Sequence, residues 1–192
     1  VEDRQVVVPG EVLANGMGYL PGEGAYRSGD KLCAEQLGIT SINGKVVKII
    51  PLSGKYMPKV GDKVIGRVDD ILLMGWHVDV ASPYKAVLPL KDATREFTAR
   101  GADLRKFFDI GEYIFTKITS VSSMNLTDLS MRGPGLRKLP SGRILKVSAL
   151  KVPRVIGKEG SMINLIKDDT QTEITVGQNG YIWIKGSEEG EK

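Results

Sequence analysis

The chain is poor in the residues from which disulfide, metal and catalytic centres are built. Its 192 residues contain one cysteine, Cys33, and one histidine, His77. A lone cysteine excludes an internal disulfide framework, and beside a lone histidine it excludes a structural zinc site of the Cys/His kind, so no metal and no cofactor is expected. Cys33 reads as core filling. The two residues lie in different parts of the chain, which leaves no visible nucleophile and base pair. Paired carboxylates do not replace it. Neighbours on a strand point to opposite faces, so Asp69 and Asp70 do not share a metal, and Asp168-Asp169 reads as the polar terminus after a helix. Long apolar runs are missing too. No stretch approaches the roughly 18 residues that span a bilayer, and Val1-Glu2-Asp3-Arg4 opens no signal peptide. The expectation is a soluble cytoplasmic protein without catalysis and without a membrane partner.

What is present is ordinary in amount and uneven in placement. Apolar residues make up 41% and charged residues 26%, which suits folded soluble protein, and the net charge is only +4. From Arg132 to Lys158, however, the chain carries Arg132, Arg137, Lys138, Arg143, Lys146, Lys151, Arg154 and Lys158 and no acidic residue. That stretch reads either as a solvated linker and strand surface or as a phosphate-neutralising patch; its proximity to the motif below favours the second.

Taken in order, the chain predicts a mainly β protein with a C-terminal α/β domain. Residues 1–56 form a small N-terminal β domain, with runs Gln5–Val8, Glu11–Leu13, Lys31–Ala34, Gly38–Ile42 and Lys45–Ile50 divided by turn signals. Asn43-Gly44 marks a two-residue hairpin. Gly22-Glu23-Gly24 is not a nucleotide loop, because no helix follows and Tyr26–Asp30 reads as a further turn. Residues 57–132 offer five strands, Val60–Val68, Gly75–Val80, Lys85–Leu90, Glu112–Val121 and Leu126–Met131, which fit a five-stranded OB barrel. Alternation places Trp76, Val78 and Val80 in its core and His77 and Asp79 outside. Phe107 and Phe108 read as anchors into the barrel, and Arg95, Arg100 and Arg105 on the connection before strand four, offset by Asp92, Glu96 and Asp103, as candidate contacts to an anionic partner. Residues 133–142, rich in Gly and Pro, read as an interdomain linker.

Residues 143–192 carry the element that organises the rest. Strand Arg143–Val147, helix Lys151–Ile156, the turn Gly157-Lys158-Glu159-Gly160, helix Ser161–Lys167 and strands Thr172–Val176 and Tyr181–Lys185 follow in that order. Alone, G-x-x-G is either a helix-helix turn or a backbone clamp. As a clamp it lets a phosphate approach bare main chain at a helix start, with Arg154, Ile156, Gly157, Lys158 and Gly160 around it.

With V-I-G-K-x-G-x-x-I-x-x-I inside it, this segment resembles a KH domain of type I order, its third helix apparently absent and the face of Tyr181–Lys185 lacking that cover. Residues 57–132, with G-D-x-V-x-G-x-V, G-W-H-V-D-V, A-V-L-P-L and L-S-M-R, resemble the RNA-binding repeat of the ribosomal "S-one" protein family. The KH resemblance implies a grip on single-stranded RNA, with Glu159 weakening it. The S-one resemblance puts His77 where relatives present a ring to a base; His77 is either that contact or structural. Pro89 stands where many relatives carry a second ring, which argues against strong stacking.

The order of a β unit, an S-one barrel and one KH domain resembles the RNA-binding cap subunit of the archaeal exosome. Bacterial polynucleotide phosphorylase, with KH before S-one, and the elongation factor with two KH domains are arranged otherwise. This resemblance implies RNA degradation or processing in a protein complex. By that resemblance a trimeric cap of such subunits sits on exosome nuclease ring subunits, binds single-stranded RNA and guides it to phosphorolytic 3′–5′ exoribonuclease sites in the ring; Arg132, from the basic segment, is a further candidate RNA contact. The alternatives are a free-standing RNA-binding factor in transcription or translation and, after it, an assembly scaffold.

Overall fold

In the computed structural model, the described residues are 2–94, 103–122 and 124–187. The chain divides into two compact units, Val1–Gly54 and Lys55–Lys192.

The first unit holds β1 (Val6–Val7), β2 (Val12–Asn15), β3 (Leu20–Pro21), β4 (Ala25–Ser28), β5 (Lys31–Ala34), β6 (Gly38–Asn43) and β7 (Val46–Pro51). They form two sheets, ordered β1-β6-β7-β3 and β2-β5-β4. Alternation buries one side of β7, while β5 buries Leu32, Cys33 and Ala34 in succession, and Val7, Leu13, Leu32, Ala34, Val47 and Ile49 make the core. Two turns differ from expectation. The hairpin of β6 and β7 pairs Asn43 with Val46, so its loop is Gly44-Lys45, one residue later than the Asn-Gly signal. Gly44 supplies a φ of +60° at the first loop position, as a two-residue turn with leading glycine requires. Likewise Tyr26–Ser28 is strand, pairing Tyr26 with Cys33, and the turn is confined to Gly29-Asp30. Polar Arg27 and Ser28 disguised that strand because only alternate residues face the core.

The second unit opens with β8 (Lys63–Leu72), β9 (Gly75–Asp79), β10 (Lys85–Pro89), a short helix α1 (Leu90–Ala93), β11 (Tyr113–Val121) and β12 (Leu126–Ser130). Pairings run β12-β10-β9-β8-β11, and β12 also pairs with β11, which closes a five-stranded barrel. Trp76, fully buried, lies at its centre among Val64, Val68, Leu88, Ile114, Ile118 and Leu129. Phe108 meets Trp76 edge-on at 5.1 Å and accepts the indole N–H at 3.0 Å; Phe107 stands edge-on at 6.5 Å. Both phenylalanines therefore anchor the connection into the barrel, as their spacing suggested. Edge-to-face geometry of this kind adds to the burial of the rings.

The segment 133–142 is not a free linker. Within it β13 (Arg137–Lys138) pairs with Ile114 and Phe115 of β11, and Leu139 is buried. Gly and Pro on either side hid a two-residue strand too short to show a period. Then follow β14 (Arg143–Lys146), a 3-10 turn Ala149–Lys151, α2 (Val152–Ile156), a second 3-10 turn Lys158–Gly160, α3 (Ser161–Thr170), β15 (Glu173–Val176) and β16 (Tyr181–Lys185). The three strands form an antiparallel sheet ordered β14-β16-β15. Asp168 and Asp169 lie inside the last turn of α3 rather than after it.

Tyr181–Lys185 does not lack cover. Trp183 and Ile182 are buried, and Trp183 shares a cluster with Ile65 of the barrel and Leu139. The hairpin tip Gly177–Gly180 binds the barrel as well. Asn179, 3% exposed, accepts the Ile65 N–H at 3.3 Å and donates to the carbonyls of Ile65 at 2.7 Å and Val80 at 2.9 Å. The Gln178 N–H adds a bond of 2.9 Å to the Lys63 carbonyl. Exposed apolar surface lies on α3 instead, at Met162, Leu165 and Ile166.

Candidate nucleic-acid interface

The G-x-x-G turn is built by backbone conformation. α2 begins with Pro153 in its first turn, where the missing N–H costs nothing, and ends at Gly157, whose N–H returns to the Pro153 carbonyl at 3.0 Å. Gly157 has φ +75°, Glu159 +54° and Gly160 +81°, so three residues in four lie at positive φ. The glycines are required for different reasons. A Cβ on Gly157 would lie 2.8 Å from both Cβ and N of Met162, whereas on Gly160 its nearest neighbour would be Asn164 Nδ2 at 3.6 Å. Gly157 needs empty space; Gly160 needs only the left-handed backbone.

α3 starts without a side-chain cap. Its first-turn N–H groups have no partners within the helix and sit at the positive end of the helix dipole, next to exposed Lys158. Arg154 is exposed on α2, while Ile156 is half-buried. Exposed Glu159 occupies the tip and opposes an anion there. The turn is open to solvent between two helices, so Arg154, Ile156, Gly157, Lys158 and Gly160 are brought together at one place.

Part of the basic segment is spent elsewhere. Arg132 pairs with Asp92 at 3.7 Å and donates to the Lys91 carbonyl. Arg137 pairs with Glu173 and lies over the Trp183 ring, and Lys138 pairs with Glu112 at 2.6 Å. Partial burial pushes the Glu112 carboxyl up, but hydrogen bonds from Lys138 and the Asp109 N–H outweigh it and hold the group below the usual carboxylate range. Lys146 lies 5.6 Å above the Tyr181 ring. Tyr181 has its phenol raised by burial, with Asp79 and Tyr113 adding to the shift. Among the described residues at least three of the eight cations, Arg132, Arg137 and Lys138, therefore hold carboxylates of the protein itself, which charge counting along the sequence does not reveal.

On the barrel, His77 is half-buried on the outer face of β9, opposite Asp70 of β8 and Val87 of β10. It lines a groove of about 490 Å³ with Asp69, Asp70, Asp79, Tyr84 and Lys85. Pro89, at the end of β10, lies opposite Gly75. Arg105 is exposed on a 3-10 turn, Leu104–Lys106, where the Asp103 carboxylate accepts the Arg105 N–H at 3.1 Å. Arg95 and Arg100 lie outside the described residues. Among the described residues no group of three or more His, Cys, Asp or Glu side chains is placed to hold a metal, and no helix is long and apolar enough to cross a membrane.

Sequence reasoning missed Asn179 and the acidic rim of the groove. A β-bulge between Val68 and Asp70 brings Asp69 and Asp70 to one groove, although plain alternation set them on opposite faces. Gln178-Asn179-Gly180 carries the signature of an ordinary hairpin loop, and nothing local distinguishes an asparagine that turns from one that binds another domain.

Three successive segments of the chain match described families. Residues 4–53 match the "Exosome RNA binding protein RRP4 N-terminal domain", residues 55–120 the "RRP4, S1 domain" and residues 142–190 the "KH domain". Exosome complex component Rrp4 of Methanobrevibacter smithii is 42% identical over 192 residues, covering 100% of this chain, which spans 63% of that relative's length. The counterpart in Pyrococcus furiosus is 44% identical over 96% of this chain and 70% of its own, and that of Methanothermus fervidus 42% over 100% and 85%. A crystal structure of an exosome complex RNA-binding protein superposes with a TM-score of 0.64 at 35% identity, covering 71% of this chain and 78% of that one. Three successive domain matches in one order, with full-length identity above 40%, place the chain in the Rrp4 family of archaeal exosome RNA-binding components.

Proposed function

We propose that this chain is the RNA-binding, non-catalytic cap subunit of an archaeal exosome in the cytoplasm. It captures single-stranded RNA at the KH turn and guides it along the barrel toward a phosphorolytic ring for 3′–5′ degradation or processing. The N-terminal unit is the part that docks on nuclease ring subunits, in a trimeric cap. The observation that carries the reading is the solvent-open Gly157–Gly160 turn at the uncapped start of α3, flanked by exposed Arg154 and Lys158. Such a turn holds a sugar-phosphate backbone against main-chain N–H groups without reading sequence. The N-terminal unit supports docking through exposed Val6 and Ile50, which line up with Ile39 across three strands of one sheet.

The test is single-stranded RNA binding by the full chain and by Lys158→Asp, which changes an exposed residue and leaves both glycines. Binding weakened about tenfold, with a shallower salt dependence, supports capture at the turn. Equal affinity removes it. Co-purification with ring subunits tests docking, and isolation of native complexes without them removes that role.

A further inference from the structure

The groove beside His77 carries the wrong charge for a site that grips RNA by its backbone. Its walls present the exposed carboxylates of Asp69, Asp70 and Asp79 against the single ammonium of Lys85. Arg67 is engaged with Asp69 at 3.6 Å and offsets that one carboxylate, which leaves Asp70 and Asp79 against Lys85. The carboxylates are also held in place. Asp70 faces His77 across the strands and accepts the Ile71 N–H at 2.8 Å, while Asp79 accepts the Ala81 N–H at 2.8 Å. At the KH turn the balance is reversed, with Arg154 and Lys158 exposed at the start of α3, the positive end of its dipole.

Resting on the RNA-capture reading, we propose that Asp69, Asp70 and Asp79 make the barrel groove a weak passage. It receives the strand by its bases, at His77, and repels its phosphates, leaving the salt-dependent grip to the KH turn. Phosphate contacts supply most sequence-independent affinity and all of its steep salt dependence, whereas contact with a base face is insensitive to salt. Like charges facing each other across an interface suppress binding there. A conduction path works only if each site is weak enough to release what it takes up, and an acidic rim around one imidazole meets that condition where a basic groove would not.

The test uses the full chain and a fluorescein-labelled single-stranded RNA of mixed sequence, with anisotropy read at about 50 and about 200 mM salt. Asn at the three positions keeps the acceptor oxygens toward Ile71 and Ala81, removes the charges and releases Arg67 from Asp69. The triple variant Asp69→Asn, Asp70→Asn, Asp79→Asn is expected to bind about tenfold tighter at the lower salt, with a steeper salt slope. Affinity and slope equal to the parent overturn the proposal, as does weaker binding by a variant that melts like the parent. If the triple variant melts early, the single variant Asp70→Asn decides, with about twofold tighter binding expected and no gain overturning the idea. His77→Ala is expected to weaken binding by the same factor at both salts; a changed slope would place phosphate at the groove and overturn the base-first passage. Should Lys158→Asp bind like the parent, it is the capture reading that fails. A sensitive Lys158→Asp with an indifferent triple variant sinks the passage alone.

Discussion

At the scale of single residues, the turn separates what a glycine does by conformation from what it does by size. Gly160→Ala places a side chain in left-handed backbone with room around it, at a cost of about 1 kcal/mol. Gly157→Ala adds overlap with the backbone of Met162, which has no flexible end to move aside, and is expected to cost about 2–4 kcal/mol. Urea unfolding of the two variants checks the ordering; equal midpoints would mean that the Met162 contact relaxes. For function the informative residue is Lys158, exposed and outside that packing. On the capture reading, its removal is expected to delete about one phosphate contact and to lower the slope of log affinity against log salt by about 0.7, which a titration at several salt concentrations measures. Glu112 gives the pH counterpart. Its folded carboxyl is held down through Lys138 and the Asp109 N–H, so its contribution is present above the ordinary carboxylate range and is lost as pH falls through the lower folded value. Thermal melts of Lys138→Ala are expected to lie below the parent at neutral pH and to converge with it in acid.

At the scale of elements, the KH hairpin does more than close its own sheet. Asn179 satisfies three main-chain groups of β8 and the residue after β9, and truncating it leaves those groups buried and unpaired. Asn179→Ala is expected to cost about 2–4 kcal/mol and to uncouple the KH fold from the barrel. The tryptophans report on the two sides, since Trp76 is in the barrel core and Trp183 against Leu139 and Ile65. In a Trp76→Phe background, Trp183 fluorescence should follow unfolding at the same denaturant concentration as circular dichroism in the parent and at a lower one in Asn179→Ala. Coincident curves in both would refute the coupling. The annexed strand Arg137–Lys138 belongs to the same joint, where Arg137 bridges Trp183 and Glu173.

At the scale of the whole molecule, the chain divides into two compact units. The second unit joins barrel and KH domain through one shared cluster and a hydrogen-bonded hairpin tip, so both surfaces proposed to meet RNA belong to one folded body. Residues 55–192 are expected to fold without the first unit and to retain RNA affinity within about twofold, while losing co-purification with the nuclease ring. RNA affinity that collapses with this truncation would show that the N-terminal β unit takes part in capture.

Much of this was legible along the chain, because strand alternation, turn residues and the helix-glycine-helix pattern are local. Trp76 inside and His77 outside follow from the two-residue period, and the Gly157–Gly160 turn follows from glycine placement between two apolar runs. What tertiary structure decided is everything that depends on who faces whom. Sequence could count the cations from Arg132 to Lys158, but Arg132, Arg137 and Lys138 meet Asp92, Glu173 and Glu112 only once distant strands are side by side. It could mark 133–142 as punctuated and Gln178-Asn179-Gly180 as a loop, yet pairing with β11 and the bonds to Ile65 and Val80 exist only across a folded joint. Local pattern specifies an element because neighbours along the chain share it; partners are set by packing, which joins residues more than a hundred positions apart.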